Sequence, residues 1–147
     1  MALLFKDALS PIDLAWAAGL FDGEGWVTVR RDATIVEVGI SMTDVRPIEK
    51  IRTMFGGSKC PKHDRRTPRH SIFSWQVTSS RANRFLCAIR PYLVLKSEVA
   101  DLGMEVAALT GQQGRIGLNP ITLKRRRILG HAIKCLNDWP CQRVCKS

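Results

Sequence analysis

Acidic residues are scarce in this chain: 13 Asp and Glu stand against 23 Lys and Arg, a formal net charge of +10. A basic excess of that size on a folded domain points to a polyanionic partner, either nucleic acid or an anionic membrane. Long apolar runs are missing as well. No stretch approaches the roughly 20 apolar residues that a membrane-spanning helix needs. The segment from Met1 to Ser10 is broken by Lys6 and Asp7 and does not resemble a signal peptide. No strongly amphipathic basic helix lies outside the expected fold, so a membrane partner is not expected. A disulfide framework is also lacking. The five cysteines (Cys60, Cys87, Cys135, Cys141 and Cys145) are odd in number and irregularly spaced. Cys60-x-x-His63 and Cys141-x-x-x-Cys145 have the tight spacing of half zinc sites but lie far apart. The expectation is free thiols, with Cys87 and Cys135 in core helices, in a reducing intracellular compartment. There is no internal repeat.

What is present reads as one globular α+β domain over residues 1–147, with a core from about 10 to 110. Ser10-Pro11 opens a first helix: Ser10 suits the N-cap, Pro11 the first turn and Asp13 the positive helix end. It ends near Asp22-Gly23. Trp26–Arg30 reads as a strand. Ile35–Thr43 reads as a second strand with one buried face, because Val36, Val38, Ile40 and Met42 alternate with less apolar residues. Asp44 caps a second helix with Ile48, Ile51, Met54 and Phe55 on one side, stopped by Gly56-Gly57. Lys59 to His70 reads as a basic, proline-containing loop. Ile72–Thr78 is another alternating strand. Ser79 or Ser80 then caps a helix that ends at Arg90-Pro91, and a fourth helix covers Ser97–Leu109. A last helix, Ile121–Asn137, carries an apolar stripe of Ile121, Ile128, Leu129, Ala132, Ile133 and Leu136. The order predicts an antiparallel sheet with helices on one face and the other face polar and open.

The end of the first helix concentrates the chemistry. Ala15, Ala18 and Gly19 are small, which lets another backbone approach, although Gly inside a helix costs about 1 kcal/mol against Ala. Two acids, Asp22 and Glu24, follow among glycines. Ala17-Ala18-Gly19-Leu20-Phe21-Asp22-Gly23-Glu24-Gly25 resembles the signature motif of the LAGLIDADG homing endonucleases: Ala18, Gly19, Leu20, Asp22 and Gly25 are identical to it. Arg90 to Lys96 resembles the family segment that ends in an active-site lysine. Met42-Thr43-Asp44, with the helix that follows, resembles the family's second strand and second helix.

The resemblance implies an αββαββα fold with a saddle-shaped antiparallel sheet and extra C-terminal helices. It implies a site-specific double-strand DNA endonuclease that cuts with Mg²⁺, for which Mn²⁺ or Ca²⁺ can substitute in the site, and uses no small-molecule cofactor. Glu24 would bind the metal, with the carbonyl of Gly23 assisting, and Lys96 would stabilise charge or position the attacking water. Asp44 would either order water beside the metal or only cap its helix. Ile48 stands where some members carry a basic residue, and Lys50 is a candidate substitute. A single motif implies a homodimer through Ala15, Ala18, Gly19 and Asp22 and a pseudo-palindromic target. In the major groove, the open sheet face would present Thr28, Arg30, Glu37, Ser41, Ser74 and Gln76. Phosphate contacts would fall to Lys59, Lys62, Arg65, Arg66 and Arg69 in the basic loop, and to Lys124 and Arg125 in the run ending at Arg127. Such an enzyme belongs in the DNA-containing compartment of a host, with intron or intein mobility as its setting. An RNA-splicing maturase or a non-catalytic DNA-binding protein of the same fold are the alternatives.

Overall fold

The computed structural model describes residues 9–30, 35–63, 71–111 and 119–137. The elements are α1 (Pro11–Glu24), β1 (Gly25–Arg30), β2 (Ile35–Met42), α2 (Val45–Phe55), β3 (Ser58–His63), β4 (Ser71–Thr78), α3 (Ser79–Ile89), a 3₁₀ turn (Arg90–Tyr92), α4 (Ser97–Gly111) and α5 (Pro120–Asn137). The four strands form one antiparallel sheet in the order β1-β2-β4-β3. This is the expected mixed architecture.

Local signals explain the helix starts. Ser10 accepts from the backbone N–H of Asp13 at 3.2 Å, and its hydroxyl donates to the Asp13 carboxylate at 2.7 Å. The first of these bonds satisfies one free backbone donor of the first turn of α1, and the second holds the two side chains together. Asp44 caps α2 by accepting from the Arg46 N–H at 2.9 Å. The third helix departs from expectation. Its N-cap is Thr78, and Ser79, its first residue, adopts a positive φ of 52°.

Strand pairing decides which side chains share a face. Val27, Val36, Val38, Ile40, Trp75 and Val77 are buried on the helix side, where Phe85 makes edge contacts with Phe21, Phe55 and Trp75 at centroid distances of 5.6, 4.8 and 4.9 Å. Trp75 Nε1 donates to the Gly56 carbonyl at 2.6 Å, which ties the end of α2 to the sheet.

The basic stretch after Gly57 is a strand for its first six residues rather than a loop. β3 is a sheet edge, the one place a strand tolerates Pro61, which has no N–H to donate. Arg65, Arg66 and Arg69 lie outside the described residues, and only the backbone of Lys62 is described. The thiols also depart from expectation: Cys87 is exposed on α3, with Sγ 3.3 Å from Met104 Sδ on α4, and Cys135 is only partly buried.

In α5, Ile121 and Ile128 point outward and are 78% and 60% exposed, whereas Ile133 is buried and Leu129 and Leu136 pack against the core. Arg126 is buried beside them and donates to the carbonyl of Leu109 near the end of α4. A cation is favoured there by the partial negative charge of a helix C-terminus. The apolar stripe on its own therefore assigns the buried side of α5 incorrectly at two positions. At the other end of α5, Asn137 Nδ2 donates to the Val27 carbonyl at 2.7 Å.

The junction of α1 and β1 is unusually tight. A Cβ added to Gly25 would lie 2.2 Å from Cδ2 of Phe21, whose ring is itself fully buried. The last glycine of the motif is therefore required by packing and not by its backbone conformation, which is ordinary extended. Gly25→Ala is expected to destabilise the chain by about 1–3 kcal/mol through overpacking. Chemical denaturation would measure this, and an unchanged denaturation midpoint would contradict it.

Candidate active site and DNA-facing surface

Helix α1 runs unbroken through Asp22 and Gly23 and ends on Glu24, one residue past the Asp22-Gly23 end expected from the sequence. Glu24 and Gly23 are both exposed. α1 has no basic residue in its own last turn. The cation comes from elsewhere: Lys96 Nζ donates to the carbonyls of Phe21 at 3.1 Å and Asp22 at 2.7 Å. Burial lowers the pKa of this amine, while the charges of Asp22 and Glu24 oppose that shift. Lys96 and Glu24 thus share one helix end, as the sequence suggests.

Asp22 does something the sequence does not reveal. Its carboxylate accepts from three consecutive backbone N–H groups, those of Val94, Leu95 and Lys96, at 2.8, 3.2 and 2.9 Å. It holds the segment carrying Lys96 against α1, and both of its oxygens are occupied within the chain. Beside this junction lies a cleft of about 620 Å³ lined by Asp22, Trp26, Lys96, Glu98 and Asn137, among others. Trp26 and Glu98 have no local signal that marks them in advance.

Asp44 is confirmed as a cap and is also bonded to Arg46, whose Nε lies 3.0 Å from both carboxylate oxygens. Those bonds hold its pKa down to about 2. Asp44 follows the end of β2, which extends past the Gly25–Ile40 pairing, so it lies at the same end of the sheet as Glu24. Ile48 is buried. Lys50 is not a substitute for a basic residue near Glu24, because its Nζ stands 4.1 Å from the centroid of the Trp16 ring, two turns back along α1.

The small face of α1 needs one correction. Ala15 and Gly19 are exposed, and nothing lies within 4 Å of a Cβ placed on Gly19 or Gly23. Ala18 is fully buried in the chain's own core. It is turned about 100° from Gly19 around the helix axis, enough to move it from the outer to the inner side. The exposed stripe is instead Ile12, Ala15, Gly19 and Gly23, with Ile12 81% exposed.

The strand register places Thr28, Arg30, Glu37, Ser41, Ser74 and Gln76 together on the sheet face away from the helices, with Trp26 and Cys60 beside them. Being on one face does not make them all accessible. Ser74 is fully buried and shares a 2.9 Å hydrogen bond with the Ser41 hydroxyl across the strand pair. Glu37 is 2% exposed and its Oε1 lies 2.7 Å from Arg30 Nη2. Neither side chain is free to reach into a groove. A Cβ on Gly39 would lie 2.3 Å from Trp26 Cζ2, so the indole lies directly over that glycine. Lys59 belongs to the opposite set: paired with Trp75, it faces the helices and forms an ion pair with Glu49 of α2. Lys124 is exposed on α5, whereas Arg125 is paired with Glu105 of α4.

No protein-family model matches the chain, and no curated protein sequence is significantly similar to it. Solved structures are similar in shape. The homing endonuclease I-CvuI, in complex with an I-CreI target in the presence of Mg with the DNA not cleaved, is 18% identical with a TM-score of 0.71, covering 86% of this chain and 83% of that one. The same enzyme with its own target and Ca is 19% identical with a TM-score of 0.69. I-SmaMI bound to an uncleaved DNA target with calcium is 22% identical with a TM-score of 0.66, covering 93% of this chain but 49% of that one. A second I-SmaMI structure, bound to cleaved DNA, is described as a LAGLIDADG homing endonuclease and gives a TM-score of 0.61. The order of elements, the four-stranded antiparallel sheet and these superpositions agree: the chain has the fold of the LAGLIDADG homing endonucleases.

Proposed function

We propose that this chain is a site-specific DNA endonuclease that uses a divalent metal and acts as a homodimer on duplex DNA in a DNA-containing compartment of its host. The observation that carries the reading is the meeting of Glu24 and Lys96 at one helix end, beside a sheet face lined with polar side chains. A pure binding protein has no need of an exposed acid there, since an acid repels phosphate. The donor set suits a hard cation: the Glu24 carboxylate, with the Gly23 carbonyl nearby, offers the oxygen ligands that Mg²⁺ prefers. Among the described residues no three His, Cys, Asp or Glu side chains converge. The remaining oxygens would come from water, DNA phosphate and a second copy. A bound Mg²⁺ would supply an activated water and stabilisation of the leaving oxygen. Lys96, held on the carbonyls of Phe21 and Asp22, would keep positive charge beside the scissile phosphate.

The reading as a dimer rests on two observations. The outer stripe of α1 lacks bulk at Ala15, Gly19 and Gly23, so a second helix can approach closely. One copy of this fold covers 49% of I-SmaMI but 83% of I-CvuI. No helix among the described residues is long and apolar enough to cross a membrane. Incubating the chain with a randomised duplex library and Mg²⁺ is expected to enrich fragments cut at two-fold-related positions, with a dimer in sedimentation. Bound but uncut enriched duplexes would sink the nuclease reading in favour of a binding protein of the same fold.

A further inference from the structure

We infer that Glu37 is a positioning residue that orients Arg30 to read one guanine in each half of the target; this rests on the DNA-binding reading above. Glu37 and Arg30 lie on neighbouring strands, on the open face, one diagonal step apart: Arg30 pairs with Ile35 and Glu37 with Thr28. Their exposures are opposite. The Glu37 side chain is 3% exposed and that of Arg30 is 60% exposed, with 2.7 Å between Oε1 and Nη2. A carboxylate buried that deeply cannot itself accept from a base edge. The contact is an ion pair and not an aligned hydrogen bond, since Oε1 accepts none, so the carboxylate anchors the position of the guanidinium above it through charge.

A guanidinium has five N–H donors, so pairing one nitrogen with Glu37 leaves donors for an outer acceptor pair. The kind of acceptor follows from the charge balance. A phosphate contact draws its strength from net positive charge and counterion release, and a buried carboxylate beside the guanidinium weakens both. The O6 and N7 atoms of guanine are neutral, coplanar acceptors that demand orientation rather than net charge, and Arg is their commonest bidentate partner. Thr28 and Thr78, which flank Glu37 on the neighbouring strands, are short and uncharged, so neither of these described neighbours competes as a charged group for the same base edge.

The test is binding selection from a randomised duplex library, read position by position, with the full-length chain and its variants. The wild-type chain is expected to require G at one position per half-site. Arg30→Lys keeps the charge and loses the bidentate fork, and it is expected to cut the preference at that position roughly ten- to a hundredfold. Glu37→Gln is expected to lower the same preference by a smaller factor while every other position keeps its own. If Glu37→Gln is too unstable to assay, Glu37→Asp, which draws the carboxylate back by one methylene, is expected to give the same position-specific loss. A loss of affinity spread evenly over all positions, or a G preference untouched in both Glu37 variants, would overturn the assignment. An enriched wild-type target with no G requirement that depends on Arg30 would overturn it too. If the wild-type chain enriches no sequence at all, the DNA-binding reading itself fails, and that result is distinct from the others.

Discussion

Replacing Glu24 with glutamine is expected to remove DNA cleavage, by on the order of a thousandfold or more, while leaving the fold and duplex binding in place. The size follows from what a metal-binding carboxylate supports: activation of water and charge stabilisation together are worth several kcal/mol in the transition state. Folding should be indifferent. Glu24 is exposed at the last residue of α1, and surface changes of this kind usually fall within about 0.5 kcal/mol. A negative charge at a helix C-terminus is mildly unfavourable, so its removal should help stability if it does anything. Binding should tighten slightly, because one acid facing phosphates is gone. Parallel measurements of thermal unfolding, DNA affinity and cleavage rate decide the matter. A variant that cuts at the parent rate would mean that the reacting phosphate sits elsewhere.

Asp22→Ala is expected to have the largest effect on stability, a loss of about 2–4 kcal/mol, together with a large fall in cleavage. Three backbone N–H groups lose a charged acceptor at once. Each hydrogen bond to a charged group is worth about 1.5–3 kcal/mol. The simple sum overstates the cost, because the N–H groups of Val94 and Leu95 are at exposed positions where water can replace the carboxylate. The N–H of Lys96 is partly buried and carries most of the penalty. Cleavage suffers by a second route. The segment that delivers Lys96 Nζ to the carbonyls of Phe21 and Asp22 is no longer fastened to the helix. Removing the Asp22 charge also removes one of the two influences that keep the amine protonated against its burial. Asp22→Asn, which keeps one oxygen acceptor, should fall between the two in both denaturation midpoint and rate. An Asp22→Ala variant as stable as its parent would show that the loop holds without the carboxylate.

These two acids, two residues apart, differ in what a local string can announce. Glu24 is proposed as the metal ligand from a string whose order and spacing match the motif. The role of Asp22 depends on residues 72 to 74 positions away, and no periodicity or cap announces that contact. The same division runs through the fold. The starts of α1 and α2 and the faces of β2 and β4 follow from short-range rules, and the structure agrees with them. β3 escapes because an edge strand buried against little needs no alternation, and Pro61, Lys59 and Lys62 all read as loop residues. Face assignment by alternation holds for Glu37 and Ser74, yet alternation carries no information about shading by larger neighbours or about partners on the next strand. Arg126 inverts the usual expectation for a charged run, since its partner is a carbonyl 17 residues earlier rather than solvent or phosphate.

The hydrogen bond from Asn137 to the Val27 carbonyl bears on how copies of the chain can associate. An open sheet has two flanks, and either one invites another chain to add a strand and grow a ribbon. Here the first flank has an outward carbonyl already taken by the end of α5, and the second is β3, where Pro61 interrupts the row of donors. Endless lateral stacking is thus discouraged on both sides. The proposed dimer would then close through the bare stripe of α1, which ends where Glu24 and Lys96 stand.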